Sequence, residues 1–142
     1  MKFATRVPID PDTDTARIQA IKTGLNAYFA AVSLQDVDAT TKLQAIGDCF
    51  SPSSEAELIT PAGVVLRGRE QIMHEFYASP HSPVMKDPKF CPMVNVTTLC
   101  ISTDENTIAA EINLTETIKV GDWFTFDQQV QPKICRLRIY DS

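Results

Sequence analysis

The order of two hydrophobic periods along the chain is the feature that most constrains its fold. Near the N-terminus apolar residues recur every three or four positions, which is the period of a helix. These residues are Ile18, Ile21, Leu25, Tyr28, Phe29 and Val32. From Ile108 to Leu114 apolar and polar residues alternate, which is typical of a strand with one buried face. Helices followed by strands predict an α+β fold, with the helices on one face of an antiparallel sheet.

Three helices are predicted in the first half of the chain. Their expected bounds are Ala16 to Ser33, Val37 to Ile46 and Arg69 to Ala78. Two prolines keep residues 1–11 as an irregular N-terminal arm. Polar side chains at 12–14 offer N-caps for the first helix, and Asp36 offers one for the second. Gly47 is the expected stop of the second helix.

Six strands are predicted after the second helix. Their expected bounds are Glu55–Thr60, Val64–Leu66, Val94–Ser102, Thr107–Val120, Asp122–Asp127 and Lys133–Tyr140. Residues 61–63 form the turn of the first hairpin, and Gly121 marks a bend between two later strands. The proline-rich stretch 79–92 is predicted to be a loop or irregular edge, and the sequence leaves open whether it closes over a site.

Composition excludes several classes of function. The 142 residues, 44% hydrophobic and 22% charged, fit one domain spanning 1–142. A net charge of −5 argues against nucleic acid and against anionic membrane surfaces as partners. The four cysteines form no close pair, so we expect reduced thiols, no metal site and no cofactor. The absence of an apolar leader or membrane span favours a cytoplasmic protein.

One acidic residue stands in an unusual local pattern. By period two, Asp122 shares a strand face with Phe124 and Phe126, whereas Trp123 points to the opposite side. If that face is the inner one, apolar surroundings raise the pKa of the Asp122 carboxyl. If the face is the outer one, Asp122 is a solvated acid in a turn. Periodicity alone leaves both interpretations open.

Five segments together form a recognisable pattern. They are YFAAVSLQD at 28–36, LITP at 58–61, GREQIMHEFY at 68–77, VGDWFTFD at 120–127 and KICRLR at 133–138. With these segments the chain, from about Thr13 to Tyr140, resembles the NTF2-like superfamily, and within it the SnoaL-like and ketosteroid-isomerase-like proteins. The resemblance implies a cone-shaped α+β barrel in which a strongly curved sheet wraps three helices. It also implies a deep, mostly apolar pocket for a small apolar molecule.

The resemblance also implies roles for particular residues. Tyr28 and Asp122 match the two groups that donate hydrogen bonds to the substrate oxyanion in steroid isomerases, the aspartic acid being protonated there. Tyr77 matches a tyrosine that supports these donors. The isomerases carry a basic aspartate before the proline of the first strand, but here Thr60 precedes Pro61. Because a threonine hydroxyl cannot accept a carbon-bound proton at neutral pH, steroid isomerisation is not expected.

Further candidate binding residues come from the third helix and the inner strand faces. His74 lies beside the apolar positions of the third helix and is a candidate acid or base, as is His81 between two prolines. Phe124 and Phe126 share the face of the candidate aspartate. Leu137 lies on the face of the last strand opposite two arginines. Thr60 is a candidate for orienting a water or a ligand oxygen.

Three functions remain compatible with the sequence. The first is an isomerase, dehydratase or cyclase that stabilises an enolate or alkoxide through Tyr28 and Asp122. The second is non-catalytic binding of an apolar ligand, which the missing base favours. The third is a protein-interaction module of the transport-factor type. We also expect a homodimer through the outer sheet face, where Trp123, Arg136 and Arg138 point.

Overall fold

The computed structural model of the chain describes residues 6–86, 95–113 and 119–141. The helices are α1 (Ala16–Val32), α2 (Ala39–Gly47), α3 (Arg69–Ile72) and α4 (Pro83–Lys86), and α3 continues as a π-helix over Met73–Tyr77. The strands are β1 (Glu57–Ile59), β2 (Val65–Arg67), β3 (Asn95–Ile101), β4 (Thr107–Asn113), β5 (Lys119–Phe126) and β6 (Ile134–Asp141). In these ranges no helix is long and apolar enough to cross a membrane.

The strands form one curved, open sheet in the order β2-β1-β6-β5-β4-β3. The sheet is mixed, because β1 pairs with β6 in parallel, with Leu58 opposite Leu137. All other pairs are antiparallel. The expectation of an antiparallel sheet is therefore wrong at this one pair. Hydrophobic period shows which face of a strand is buried but not which distant strand lies beside it.

The helix starts differ slightly from those expected. Thr15, not one of residues 12–14, caps α1 by accepting the backbone N–H of Ile18 at 3.1 Å. Asp38, not Asp36, caps α2 by accepting the N–H of Thr41 at 2.7 Å. Asp36 has a φ of 62°, so the chain turns there in a left-handed conformation and enters the helix two residues later.

Strand β5 does not begin where the sequence suggested. Gly121 lies inside β5, paired with Glu111 on one side and Tyr140 on the other, so it is no bend between two strands. Strand β4 ends at Asn113 and β5 begins at Lys119, and these two residues are cross-strand partners. The expected strand residues at 114–118 lie outside the described residues, as does much of the proline-rich stretch, at 87–92. The predicted strand boundary was therefore wrong because Gly121, which was interpreted as a bend, lies inside a strand.

Helix α1 packs closely on the inner face of the sheet. A Cβ atom at Gly24 would lie 2.9 Å from Cε1 of Phe126 and 3.2 Å from the carbonyl oxygen of Pro132. Phe126 and Phe124 are fully buried there, and Asp122 on the same face is only 8% exposed. Trp123, on the other face, is 52% exposed. The interpretation that places Asp122 inside is therefore the correct one.

The expectations of reduced thiols and of no metal site can be compared with the structure only for the described residues. Cys49, Cys100 and Cys135 are free thiols, and Cys91 lies outside the described residues. Across 6–86, 95–113 and 119–141, no three His, Cys, Asp or Glu side chains are grouped so that they could hold a metal ion.

Candidate functional site

A cavity of about 440 Å³ lies between α1, the segment that follows α3, and the inner face of the sheet. This volume falls within the range of small-molecule sites. The described lining residues are Tyr28, Phe29, Val32, Glu75, Phe76, Tyr77, Ser79, His81, Ser82, Pro83, Val84, Ile112, Val120, Asp122 and Ile139. Most of them are apolar, so water competes weakly for the few polar groups inside.

Two phenols meet in the wall of this cavity. The hydroxyl of Tyr28, from α1, lies 2.5 Å from the hydroxyl of Tyr77, at the end of the π-helix. Burial raises the pKa of both tyrosines, and the nearby charge of Asp122 raises each pKa further. Both phenols are therefore neutral at physiological pH. One hydroxyl hydrogen joins the pair, and the second can be donated to a third group.

The π-helix places Tyr77 in this pair. At its end the backbone N–H of Ala78 donates to the carbonyl oxygen of Met73 at 2.7 Å, five residues back. An ordinary helix over 69–78 was expected, and the wider turn rotates the last side chains relative to that expectation. Such widened turns occur often at functional sites.

Asp122 supplies the buried carboxyl of the site. It lies in the middle of β5, between Ala110 of β4 and Ile139 of β6. Among the described residues, its buried Oδ1 atom has no hydrogen-bond partner. Burial raises the pKa of this carboxyl to about 7. Near neutral pH the site therefore contains both the acid and the carboxylate in similar amounts.

The structure brings together four of the residues chosen from the sequence. Tyr28, Tyr77, His81 and Asp122 all line the cavity. Phe124 lies behind them, with its ring centroid 5.4 Å from that of Tyr28. Like Phe124, the fully buried Leu137 belongs to the core and not to the described cavity wall.

Three other candidates also lie away from the described cavity wall. Phe126 is a core residue under Gly24. Thr60 lies at the tip of the β1–β2 hairpin, where its Oγ1 accepts the N–H of Val64 at 3.1 Å. His74 is exposed and faces a separate polar groove beside Arg67. Their roles in binding stay predictions, because none of the three is among the described lining residues of this cavity.

Sequence reasoning missed most of the wall formed by residues 79–84. Ser82 is buried and accepts the N–H of Val84 at 3.1 Å, and Ser79 accepts the N–H of His81 at 3.3 Å. These short side-chain to backbone bonds shape the turn into α4. The prolines marked the segment as irregular, but no local pattern indicates which way an irregular segment folds.

The outer face of the sheet carries an exposed aromatic group. The rings of Trp123 and Tyr140 lie 6.0 Å apart, and the guanidinium of Arg138 lies 4.9 Å from the centre of the Tyr140 ring. Arg136 instead binds Glu57 at 2.8 Å. The prediction that Trp123, Arg136 and Arg138 point to the outer face is confirmed. The homodimer through this face stays a prediction.

No protein-family model matches the sequence, and no curated protein sequence matches it significantly. Solved structures do match. A SnoaL-like protein from Burkholderia thailandensis is 13% identical, with a TM-score of 0.61 over 95% of this chain and 99% of that one. SalBIII, an epoxide hydrolase/cyclase-like enzyme of pyran ring formation in salinomycin, is 17% identical, with a TM-score of 0.61 over 90% and 95%. A steroid delta-isomerase from Pseudomonas aeruginosa is 11% identical, with a TM-score of 0.55 over 89% and 80%.

These similarities establish the fold. The chain has the α+β fold shared by SnoaL-like and other NTF2-like proteins, as its sequence predicted. Identities this low carry no assignment of substrate or reaction.

Proposed function

We propose that this NTF2-like fold forms an enzyme that isomerises, dehydrates or cyclises a small apolar substrate without a cofactor. The observation that carries the proposal is the convergence of the Tyr28–Tyr77 phenol pair and the buried Asp122 on one apolar cavity. Solved structures of the same fold include an isomerase and a cyclase-like enzyme, which supports this type of chemistry.

The proposed catalytic role of the site is to stabilise negative charge on a substrate oxygen. Asp122 in its acid form and the spare phenol hydrogen of the tyrosine pair each donate a hydrogen bond to that oxygen. Both bonds strengthen as the oxygen becomes an enolate or alkoxide, so they favour the transition state over the bound substrate. Since Asp122 must carry its proton, kcat/KM is expected to fall as the pH rises through about 7.

Proton transfer to or from carbon needs a separate group. Thr60 occupies the sequence position where the steroid isomerases carry their base, and it is not among the described lining residues. The described wall contains two other titratable side chains, Glu75 and His81, and both are exposed to solvent. We propose that one of these two groups carries the proton.

The test must work without knowledge of the substrate. We would incubate the protein in D₂O with a panel of small cyclic ketones and follow exchange of the α-protons by NMR, since exchange reports enolate formation directly. The wild-type protein should accelerate exchange for at least one ketone. Asp122→Leu, which has no hydrogen-bond donor, should lower that rate by about 100-fold, the usual loss for one oxyanion donor.

Controls separate this mechanism from a general loss of fold. Asp12→Asn changes an exposed aspartate outside the cavity and should leave the exchange rate unchanged. Glu75→Gln and His81→Gln, measured separately, identify the proton carrier. Full exchange activity in Asp122→Leu would remove this residue from the mechanism.

Non-catalytic binding of an apolar ligand is the second candidate function. It is favoured by the position of Thr60 at the hairpin tip instead of in the cavity wall. Native mass spectrometry of the purified protein would show such a ligand released unchanged. A transport-factor type of interaction would instead use the exposed outer face around Trp123, and a stable hetero-complex that depends on that residue would support it.

A further inference from the structure

The cavity has an unusual distribution of charge. Its described wall contains two carboxyl side chains, Asp122 and Glu75, and one imidazole, His81, but neither lysine nor arginine. An anionic ligand would enter next to a buried carboxyl with no described cation to pair with it. Such an arrangement disfavours carboxylate and phosphate ligands, because an unpaired charge is costly to bury.

The same wall offers a carboxyl group as a hydrogen-bond acceptor. Asp122 lines the cavity and is 8% exposed, and its enclosed Oδ1 atom has no hydrogen-bond partner among the described residues. A ligand group that both donates hydrogen bonds and carries positive charge would pair best with this carboxyl in its ionised form. Hydrogen bonds between an ammonium and a carboxylate are shorter and stronger than those between neutral groups.

Aromatic side chains line the same cavity as this carboxyl. Tyr28, Phe29, Phe76 and Tyr77 line the cavity, and the rings of Phe76 and Tyr77 pack edge-to-face with centroids 4.9 Å apart. Aromatic rings attract cations through their negative faces, and the attraction increases where water is excluded. Acidic and aromatic groups without a basic partner are the surroundings that favour an organic cation.

We infer that the cavity binds a protonated hydrophobic amine, with an ammonium N–H donating to the carboxylate of Asp122. The inference goes beyond the proposed function, because it concerns binding and holds whether or not the protein is catalytic. An amine seated this way would occupy the place of the substrate oxygen and act as a competitive inhibitor.

Binding of the amine is coupled to loss of the carboxyl proton. When Asp122 is in its acid form, its O–H bond breaks and the proton passes to the amine nitrogen or to solvent. Amine binding should therefore weaken as the pH falls below 7, in keeping with the raised pKa of this carboxyl. Tyr28 and Tyr77 stay neutral in this range, so among the described lining residues Glu75 and His81 are the other groups to control.

Three probes with one carbon skeleton test the inference. They are 2-aminoindane, 2-indanol and indane-2-carboxylate, which are cationic, neutral and anionic. Calorimetry at about pH 7.5 should show the amine binding at least 10-fold more tightly than the alcohol, with no binding of the carboxylate. Lowering the pH to about 5.5 should weaken amine binding by about 20-fold and leave the alcohol unchanged.

Variants assign the effect to one carboxyl. Asp122→Asn should remove the preference for the amine over the alcohol, whereas Asp12→Asn, at an exposed position outside the cavity, should retain it. His81→Gln should leave the pH dependence in place. If Asp122→Asn does not fold, calorimetry of the wild-type protein in two buffers of different ionisation enthalpy measures the released proton instead.

The outcomes separate this inference from the proposed function. Equal or tighter binding of 2-indanol at about pH 7.5, or an amine preference that survives in Asp122→Asn, would overturn the inference even if ketone exchange is catalysed. Tight amine binding without any exchange would support the inference and count against the enzyme.

Discussion

Replacing Asp122 by asparagine should make the folded protein more stable at alkaline pH. The side chain is 8% exposed, and burial raises its pKa from 3.8 to about 7. In the unfolded chain the carboxyl titrates near its ordinary value. Between about pH 4 and pH 7 the folded state thus retains a proton that the unfolded state has lost, and the wild-type protein loses stability as the pH rises.

The size of the effect follows from the two pKa values. A difference of about 3 pKa units corresponds to about 4 kcal/mol of lost stability. This loss is complete above about pH 7 and absent below about pH 4. Asparagine has nearly the same shape and never ionises, so it removes the contribution of this carboxyl to the pH dependence of the free energy of unfolding. The variant should exceed the wild-type protein by up to about 4 kcal/mol at pH 8 and by about nothing at pH 4.

Urea unfolding followed by circular dichroism, at about pH 4, 6 and 8, measures this difference. Asp12→Asn is the matched control, because Asp12 is exposed and its removal should leave the pH profile unchanged. Parallel loss of stability with pH in the wild-type protein and in Asp122→Asn would refute the reasoning. A gain in stability together with lost exchange activity would indicate that the site retains this carboxyl for function.

Three further predictions concern packing and the tyrosine pair. Gly24→Ala should destabilise the protein by about 1–3 kcal/mol in urea unfolding, because the new Cβ would lie 2.9 Å from Phe126, whereas the exposed Thr23→Ala should not. Tyr28→Phe and Tyr77→Phe should show a coupling of about 1 kcal/mol in a double-mutant cycle, since either change breaks the same hydrogen bond; simple additivity would contradict the pair. Arg17→Lys should lower the free energy of unfolding by about 1–2 kcal/mol, because lysine cannot keep all the hydrogen bonds that the guanidinium donates to the main-chain oxygens at the end of β5. An unchanged urea midpoint would show that these hydrogen bonds contribute little.

Local patterns in the sequence determined the elements of this protein and the faces they bury. The helical stripe from Ile18 to Val32 predicts α1 to within one residue of its end. Period two in β5 places Asp122 on the same side as two phenylalanines, as the structure shows. These features depend on neighbours a few positions apart, which is the range that periodicity describes.

Features that join distant parts of the chain were decided only by the tertiary structure. The parallel pairing of β1 with β6 and the approach of Tyr77 to Tyr28, 49 residues away, depend on how the sheet curves around α1. The sequence left both faces open for Asp122, and its raised pKa arises only once the fold excludes water from it. Burial is a property of the whole packed molecule, so the chemistry of this site cannot be derived from local sequence alone.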